Sequence, residues 1–111
     1  MTEVIFVVKC GKPMSDWYHV YASGREDPFI YEQSLNLMLS EYNPTAVIIK
    51  YRFKCKDSCG IMFKFMEKIK EDSENSRLIN GRWFYCKGIA HSMNMTISTY
   101  IKKRMMDLIN S

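Results

Sequence analysis

Apolar and polar positions alternate along this chain with two different periods, and the switches between them mark its elements. Val4 to Cys10 is almost wholly β-branched or aromatic and stops at Gly11-Lys12-Pro13, the pattern of a buried strand entering a turn. Trp17 to Ala22 repeats that character after a short polar loop, which makes a hairpin with the first strand the economical connection. The chain then passes through Ser23-Gly24-Arg25-Glu26-Asp27-Pro28, where Asp27 suits a helix cap and Pro28 a first helical position. Ile30, Ser34, Leu35, Leu37 and Met38 keep roughly helical spacing up to Asn43-Pro44, which ends that helix.

From Thr45 to Cys55 the period returns to two, with Val47, Ile49, Tyr51, Phe53 and Cys55 on one parity and Ala46, Ile48, Lys50, Arg52 and Lys54 on the other. Asp57 or Ser58 can cap the next helix, whose stripe is Ile61, Met62, Phe65, Met66 and Ile69, with Lys64, Lys68 and Lys70 outward. Glu71 to Asn80 is polar and turn-rich, Gly81 resets the backbone, and Arg82 to Cys86 reads as a short aromatic strand. Beyond Ile89, the positions Met93, Ile97, Ile101, Met105 and Leu108 predict one long amphipathic closing helix, with Lys102, Lys103 and Arg104 on the rest of its circumference. The order ββαβαβα predicts an α+β fold with a mixed, mainly antiparallel sheet of about four strands and three helices.

At 111 residues, with 47% hydrophobic, 25% charged and 14% aromatic residues, the chain has the makings of one globular domain spanning 1–111 and is not a disordered polyelectrolyte. A formal charge of +4 permits DNA or RNA as a partner without demanding it. Lys9, Lys50, Lys54 and Lys64 interrupt every apolar run well short of the roughly 20 residues that span a bilayer, so no membrane role is expected. Met1-Thr2-Glu3 starts no basic leader, which predicts an intracellular setting, cytoplasmic or nuclear. Cys10, Cys55, Cys59 and Cys86 are then expected as thiols.

The element order, with a first strand Val4-Ile5-Phe6-Val7-Val8-Lys9-Cys10 and a second containing Tyr18-His19-Val20, resembles the GIY-YIG nuclease superfamily, most closely its compact branch in phages and large DNA viruses. The corresponding later parts are Ile49-Lys50-Tyr51-Arg52-Phe53, the helix through Phe65, and Gly81-Arg82-Trp83-Phe84, and the likeness runs to about Cys86. The resemblance implies tyrosines in the first two strands, an arginine in the first helix and a metal-binding glutamate in the second. Here Phe6 stands in the place of the first tyrosine, Tyr18 fits the second, and Tyr21 replaces the glycine that should follow. The first helix has no arginine near Tyr31, and Phe63 stands where the carboxylate should be, with Glu67 one turn away. Phenylalanine offers no oxygen to a hard cation, so the resemblance implies a degenerate viral copy that does not cut nucleic acid. A divergent nuclease recruiting Tyr18 with Glu67 or Glu71 is the enzyme alternative.

Without the resemblance, the residues offer three chemistries. The parity Lys50, Arg52, Lys54, joined by Arg82, Lys102 and Lys103, is a candidate phosphate-binding surface, with Trp17, Tyr21 or Trp83 able to stack on exposed bases; a plain solvated strand face is its bland counterpart. Cys55, Cys59, Cys86 and His91 make a candidate zinc set, although the spacing is not that of a zinc knuckle and no cofactor is expected. A nucleophilic cysteine-histidine pair, such as Cys86 with His91, is a third candidate, and no orienting or oxyanion motif surrounds it. The expected function is a small non-catalytic domain that binds nucleic acid or a host or viral protein. A structural protein forming a homodimer through its C-terminal helix, by way of Ile101 and the neighbouring Tyr100 and Met106, is the remaining alternative.

Overall fold

A computed structural model describes residues 2–11, 17–42, 47–72 and 83–111. In chain order these form β1 (Glu3–Cys10), β2 (Trp17–Ala22), α1 (Pro28–Tyr42), β3 (Val47–Cys55), α2 (Ser58–Asp72), β4 (Trp83–Tyr85), α3 (Lys87–Ser92) and α4 (Ile97–Ile109). The strands make one sheet in the order β3-β1-β2-β4, with every neighbouring pair antiparallel. The α+β class is as the sequence predicts, while the sheet has no parallel pair and the described helices number four rather than three. No described helix is long and apolar enough to cross a membrane.

The unbroken apolar run of β1 follows from its central place in the sheet. Ile5 and Val7 point to one face and Phe6 and Val8 to the other, and all four are buried because helices lie on both sides. On the first face Ile5, Val7, Tyr18, Val20 and Phe53 meet Met62, Phe65, Met66 and Ile69 of α2 and Tyr100, Ile101 and Met105 of α4. On the second face Phe6 and Val8 meet Leu35 and Leu39 of α1.

Short-range chemistry fixes the helix starts. The Asp27 Oδ1 accepts hydrogen bonds from the Phe29 and Ile30 amides at 2.9 and 3.4 Å, with Pro28 opening α1 as expected. At α2 the cap is Asp57, whose Oδ1 accepts from the Gly60 amide at 3.0 Å. Ser58 is instead fully interior: its hydroxyl donates to the Glu3 carboxylate at 2.7 Å and accepts from the Gly24 amide at 2.8 Å, while its own amide also donates to Glu3 at 2.9 Å. Gly24 adopts a φ of 64°, a left-handed turn that a side chain would strain. One carboxylate and one hydroxyl thus tie together the start of β1, the turn after β2 and the start of α2.

Four sequence expectations are corrected. In β3, Val7 pairs with Tyr51 but Val8 pairs with Ile49, so Lys50 is the extra residue of a bulge and Ile49 crosses from the Tyr51–Phe53 side to the Phe6–Val8 side. The long closing helix is two helices, because Asn94 takes a φ of 57° and Thr96 caps α4 by accepting from the Thr99 amide at 3.1 Å. Tyr100, expected to be exposed, is fully buried with its hydroxyl donating to Asp72 at 2.6 Å. On α1 the inward residues are Leu35 and Leu39, with Tyr31 stacked on Phe6 at 5.7 Å, whereas Ile30, Leu37 and Met38 of the predicted stripe face solvent. That helix carries apolar residues on its outer side as well as its inner one, so spacing did not choose the buried side. The predicted turn at Lys12-Pro13, the helix stop at Asn43-Pro44, the polar link from residue 73 to residue 80, Gly81 and Arg82 lie outside the described residues.

Candidate nucleic-acid interface

The two sides of the sheet are covered unequally. α1 packs over β1 and β3 through Leu35 and Leu39, and Tyr21 of β2 packs against the same cluster, which leaves β4 and the rest of β2 on that face without a described helix above them. The pairing of β2 with β4 sets Trp17 opposite Tyr85, Tyr18 opposite Phe84 and His19 opposite Trp83. Alternation then sends Tyr18 and Phe84 into the core, stacked at 5.7 Å, and sends Trp17, His19, Tyr21, Trp83 and Tyr85 to the half-open face.

These five rings form an aromatic shelf made of a pair and a trio. Trp17 lies 5.6 Å from Tyr85, centroid to centroid, and His19 lies 4.2 Å from Tyr21 and 4.5 Å from Trp83. His19 is its floor, only 7% exposed between two larger rings, while Trp17, Tyr21 and Trp83 are half-buried and Tyr85 is 40% exposed. Cross-strand aromatic pairs hold their rings in fixed orientation, at a stabilisation of roughly 0.5–1.5 kcal/mol each beyond simple burial. Rings held this way lose little freedom when a planar ligand settles on them.

The basic residues are distributed differently from the sequence expectation. Lys50, Arg52 and Lys54 are all exposed on β3, on the far flank of α1 from the shelf, and the Arg52 guanidinium is already paired with Glu32 of α1. Lys102 and Lys103 are exposed on α4, on the opposite side of the sheet, where the Lys102 ammonium stands over the Tyr51 ring at 5.5 Å. Lys102 thus reaches β3 from the α4 side of the sheet, while Arg52 is held on the α1 side.

The catalytic candidates sit in contrasting environments. Tyr18 is interior, and Glu67 faces solvent on α2. Phe6, in the place of the family's first tyrosine, is on the opposite face of the sheet from Tyr18, and Phe63 is exposed on α2. Among the described residues no three His, Cys, Asp or Glu side chains are placed to hold a metal ion, so the candidate zinc set of Cys55, Cys59, Cys86 and His91 does not assemble. Burial pushes the Cys10 thiol up to about 11, and burial together with Glu3 and Asp57 raises that of Cys55. Both favour the neutral thiol, the opposite of what a nucleophile or a metal ligand needs. Cys86 is fully buried while His91 is exposed, which leaves that pair without an accessible sulfur.

Sequence reasoning singled out Trp17, Tyr21 and Trp83 but passed over His19 and Tyr85. The parity of β2 relative to a three-residue strand more than sixty positions later would have found them, and nothing local announces that register. It also missed Asp72, which lies between α2 and α4 and accepts from both the Tyr100 hydroxyl and the Arg104 Nε at 2.6 and 2.8 Å. No family model, curated protein or solved structure matches this chain.

Proposed function

We propose that this chain is a non-catalytic domain that binds single-stranded nucleic acid by stacking bases on the aromatic shelf. The observation that supports the reading is the gathering of Trp17, Tyr21 and Trp83 on one partly uncovered sheet face, with His19 as a rigid floor and Tyr85 at the edge. Each stacked base is worth about 1–3 kcal/mol, and stacking tolerates any base, so the interaction favours unpaired strands over duplex and carries little sequence preference. The net charge of +4 supplies attraction to phosphate. Within this reading the likeness to GIY-YIG nucleases is a likeness of a copy that retains binding, since Phe6 and Phe63 bring no oxygen where the family's chemistry calls for one.

The chain has two tryptophans, and both are in the shelf, so intrinsic fluorescence reports directly on the site. Titration with single-stranded DNA and RNA oligonucleotides at low salt is expected to quench and shift that emission, with affinity falling as salt rises. Tyr21→Ala, which keeps both fluorophores, is expected to weaken binding by about 10-fold or more. Absence of any spectral change with either strand, or unaltered affinity in Tyr21→Ala and Trp17→Ala, overturns the reading. Quenching by RNA but not DNA identifies the 2′-hydroxyl as part of recognition.

A further inference from the structure

β3 is an edge strand. Its inner side pairs with β1 from the Glu3–Cys55 pair to the Cys10–Val47 pair, and no described strand pairs with its outer side. A strand left this way presents a row of backbone N–H and C=O groups that a further strand can complete. The bulge at Lys50 interrupts the row, so the regular stretch is residues 51–55, about 17 Å of extended chain.

Positive charge surrounds that stretch. Lys50, Arg52, Lys54 and Lys56 are all exposed, and the Lys102 ammonium stands over Tyr51 of the same strand. The acids nearest to it are already engaged, Glu32 with Arg52, Glu3 with Ser58 and Asp57 with the first turn of α2. Lys50, Lys54 and Lys56 form no ion pair with a described carboxylate. The register sets Arg52 opposite Phe6 and Lys54 opposite Val4, so both side chains stand on the α1 side of the sheet.

We infer that β3 takes an acidic, extended peptide as an added strand. The peptide backbone completes the outer row of hydrogen bonds, and carboxylates at alternate positions of the peptide come to the side where Arg52 and Lys54 stand. A second copy of the chain fits the edge poorly, because antiparallel pairing of two β3 strands sets basic side chains against basic side chains, and like charges placed opposite one another destabilise a sheet. Lysines on an edge are a common guard against that self-pairing. A nucleic acid shares the attraction to positive charge but has no row of donors and acceptors at strand spacing. The contact is separate from the aromatic shelf, which β2 and β4 form at the other end of the sheet order.

A synthetic peptide of about seven residues, alternating glutamate and valine, tests the inference on the full chain, with backbone amide resonances and hydrogen exchange as the readout. The expected result is saturable binding with a dissociation constant below about 1 mM, which slows exchange at amides within residues 51–55 by about 10-fold or more and weakens as salt rises. The same peptide with every amide N-methylated keeps its charge but loses its donors, and it is expected not to bind. Lys50→Glu combined with Lys54→Glu, both at exposed positions, is expected to leave circular dichroism unchanged and to weaken the glutamate peptide by about 10-fold or more. Unaltered exchange at residues 51–55, or equal binding of the N-methylated peptide, overturns the inference. Tighter binding at β3 by a single-stranded DNA oligonucleotide of the same length also overturns it and assigns the strand to phosphate. Protection of β3 that grows with protein concentration in the absence of peptide overturns it in favour of a second copy.

Discussion

The two faces of the sheet start from the same strands and end as different kinds of surface. On the α2–α4 side every central position is covered: Phe65, Phe84, Tyr100, Ile101 and Met105 have essentially no exposure, and the polar groups at the margin are matched to one another. Asp72 shows how closely that side is finished, since its carboxylate accepts from Tyr100 and Arg104, and Arg104 in turn lies 5.5 Å from the Tyr100 ring. On the α1 side one described helix covers β1 and β3 and packs against Tyr21 of β2, aromatic rings line the rest of β2 and β4, and the helix itself turns apolar residues to water. The contrast is one of cover: β1 is buried from both faces, whereas among the described residues the second face has less of its area under helix.

If that division is right, truncation has very different consequences on the two sides. Phe65→Ala removes a fully buried ring that packs edge-on against Phe84 at 5.4 Å, and it is expected to cost about 3–5 kcal/mol in urea unfolding. Ile30→Ala, on the outer face of α1, is expected to change stability by less than about 0.5 kcal/mol at concentrations where the chain is monomeric. Comparable costs at the two positions would mean that the α1 face is part of the folding core, and the comparison would fail.

The closed face was the more legible of the two in the sequence. Its α2 stripe of Met62, Phe65, Met66 and Ile69 is regular and flanked by lysines, so one side of the helix is marked unambiguously, and all four residues are buried. The open face was harder because α1 has apolar residues on two sides, and the side of Leu35 and Leu39 is the one whose neighbour Tyr31 stacks on Phe6, a contact between distant residues. The bulge at Lys50 had no local signal either, since strict alternation on both sides of it conceals the one-residue slip that moves Ile49. At the candidate site, the aromatic types were visible as base-stacking groups, but their convergence depends on the β2–β4 register. The basic residues drawn together from the sequence are divided between α4 and the α1 side of β3, on opposite sides of the sheet, a division that shared charge does not reveal.

Alkali probes the same contrast with a smaller effect. Cys10 is buried on the α1 side of β1, and its thiol is held up to about 11 by burial, against an ordinary value of about 8.5 in an unfolded chain. Below both values neither state is ionised and the site adds no pH dependence. As pH rises past the unfolded value, the unfolded chain loses its proton first and is favoured, so stability falls until the folded thiol also ionises near pH 11. The drop attributable to this group is on the order of 3 kcal/mol by about pH 11. Cys55, raised by burial and by Glu3 and Asp57 on the other side, adds a slope of the same sign. Unfolding free energies measured from pH 7 to 11 are expected to be flat and then to decline, and Cys10→Ala is expected to make the decline shallower. An unchanged slope in that variant would assign the alkaline sensitivity to the closed face alone.

The smallest expected effect concerns the link between α1 and β3. The Arg52 guanidinium and the Glu32 carboxylate form an ion pair with side chains 53 and 24% exposed, so water and dissolved ions reach both groups. Exposed pairs of this kind contribute about 0–1 kcal/mol, because Coulomb attraction in water barely exceeds the cost of fixing two long side chains. Arg52→Gln is therefore expected to lower stability by less than about 1 kcal/mol at low ionic strength, and by less again at about 0.5 M salt. The apolar contacts of Leu35 and Leu39 with Phe6 and Val8 do not depend on salt in that way, so they should keep α1 in place in the variant. A larger, salt-sensitive loss would show that α1 is held to the sheet mainly by charge, and that the open face is anchored by its rim and not by its small core.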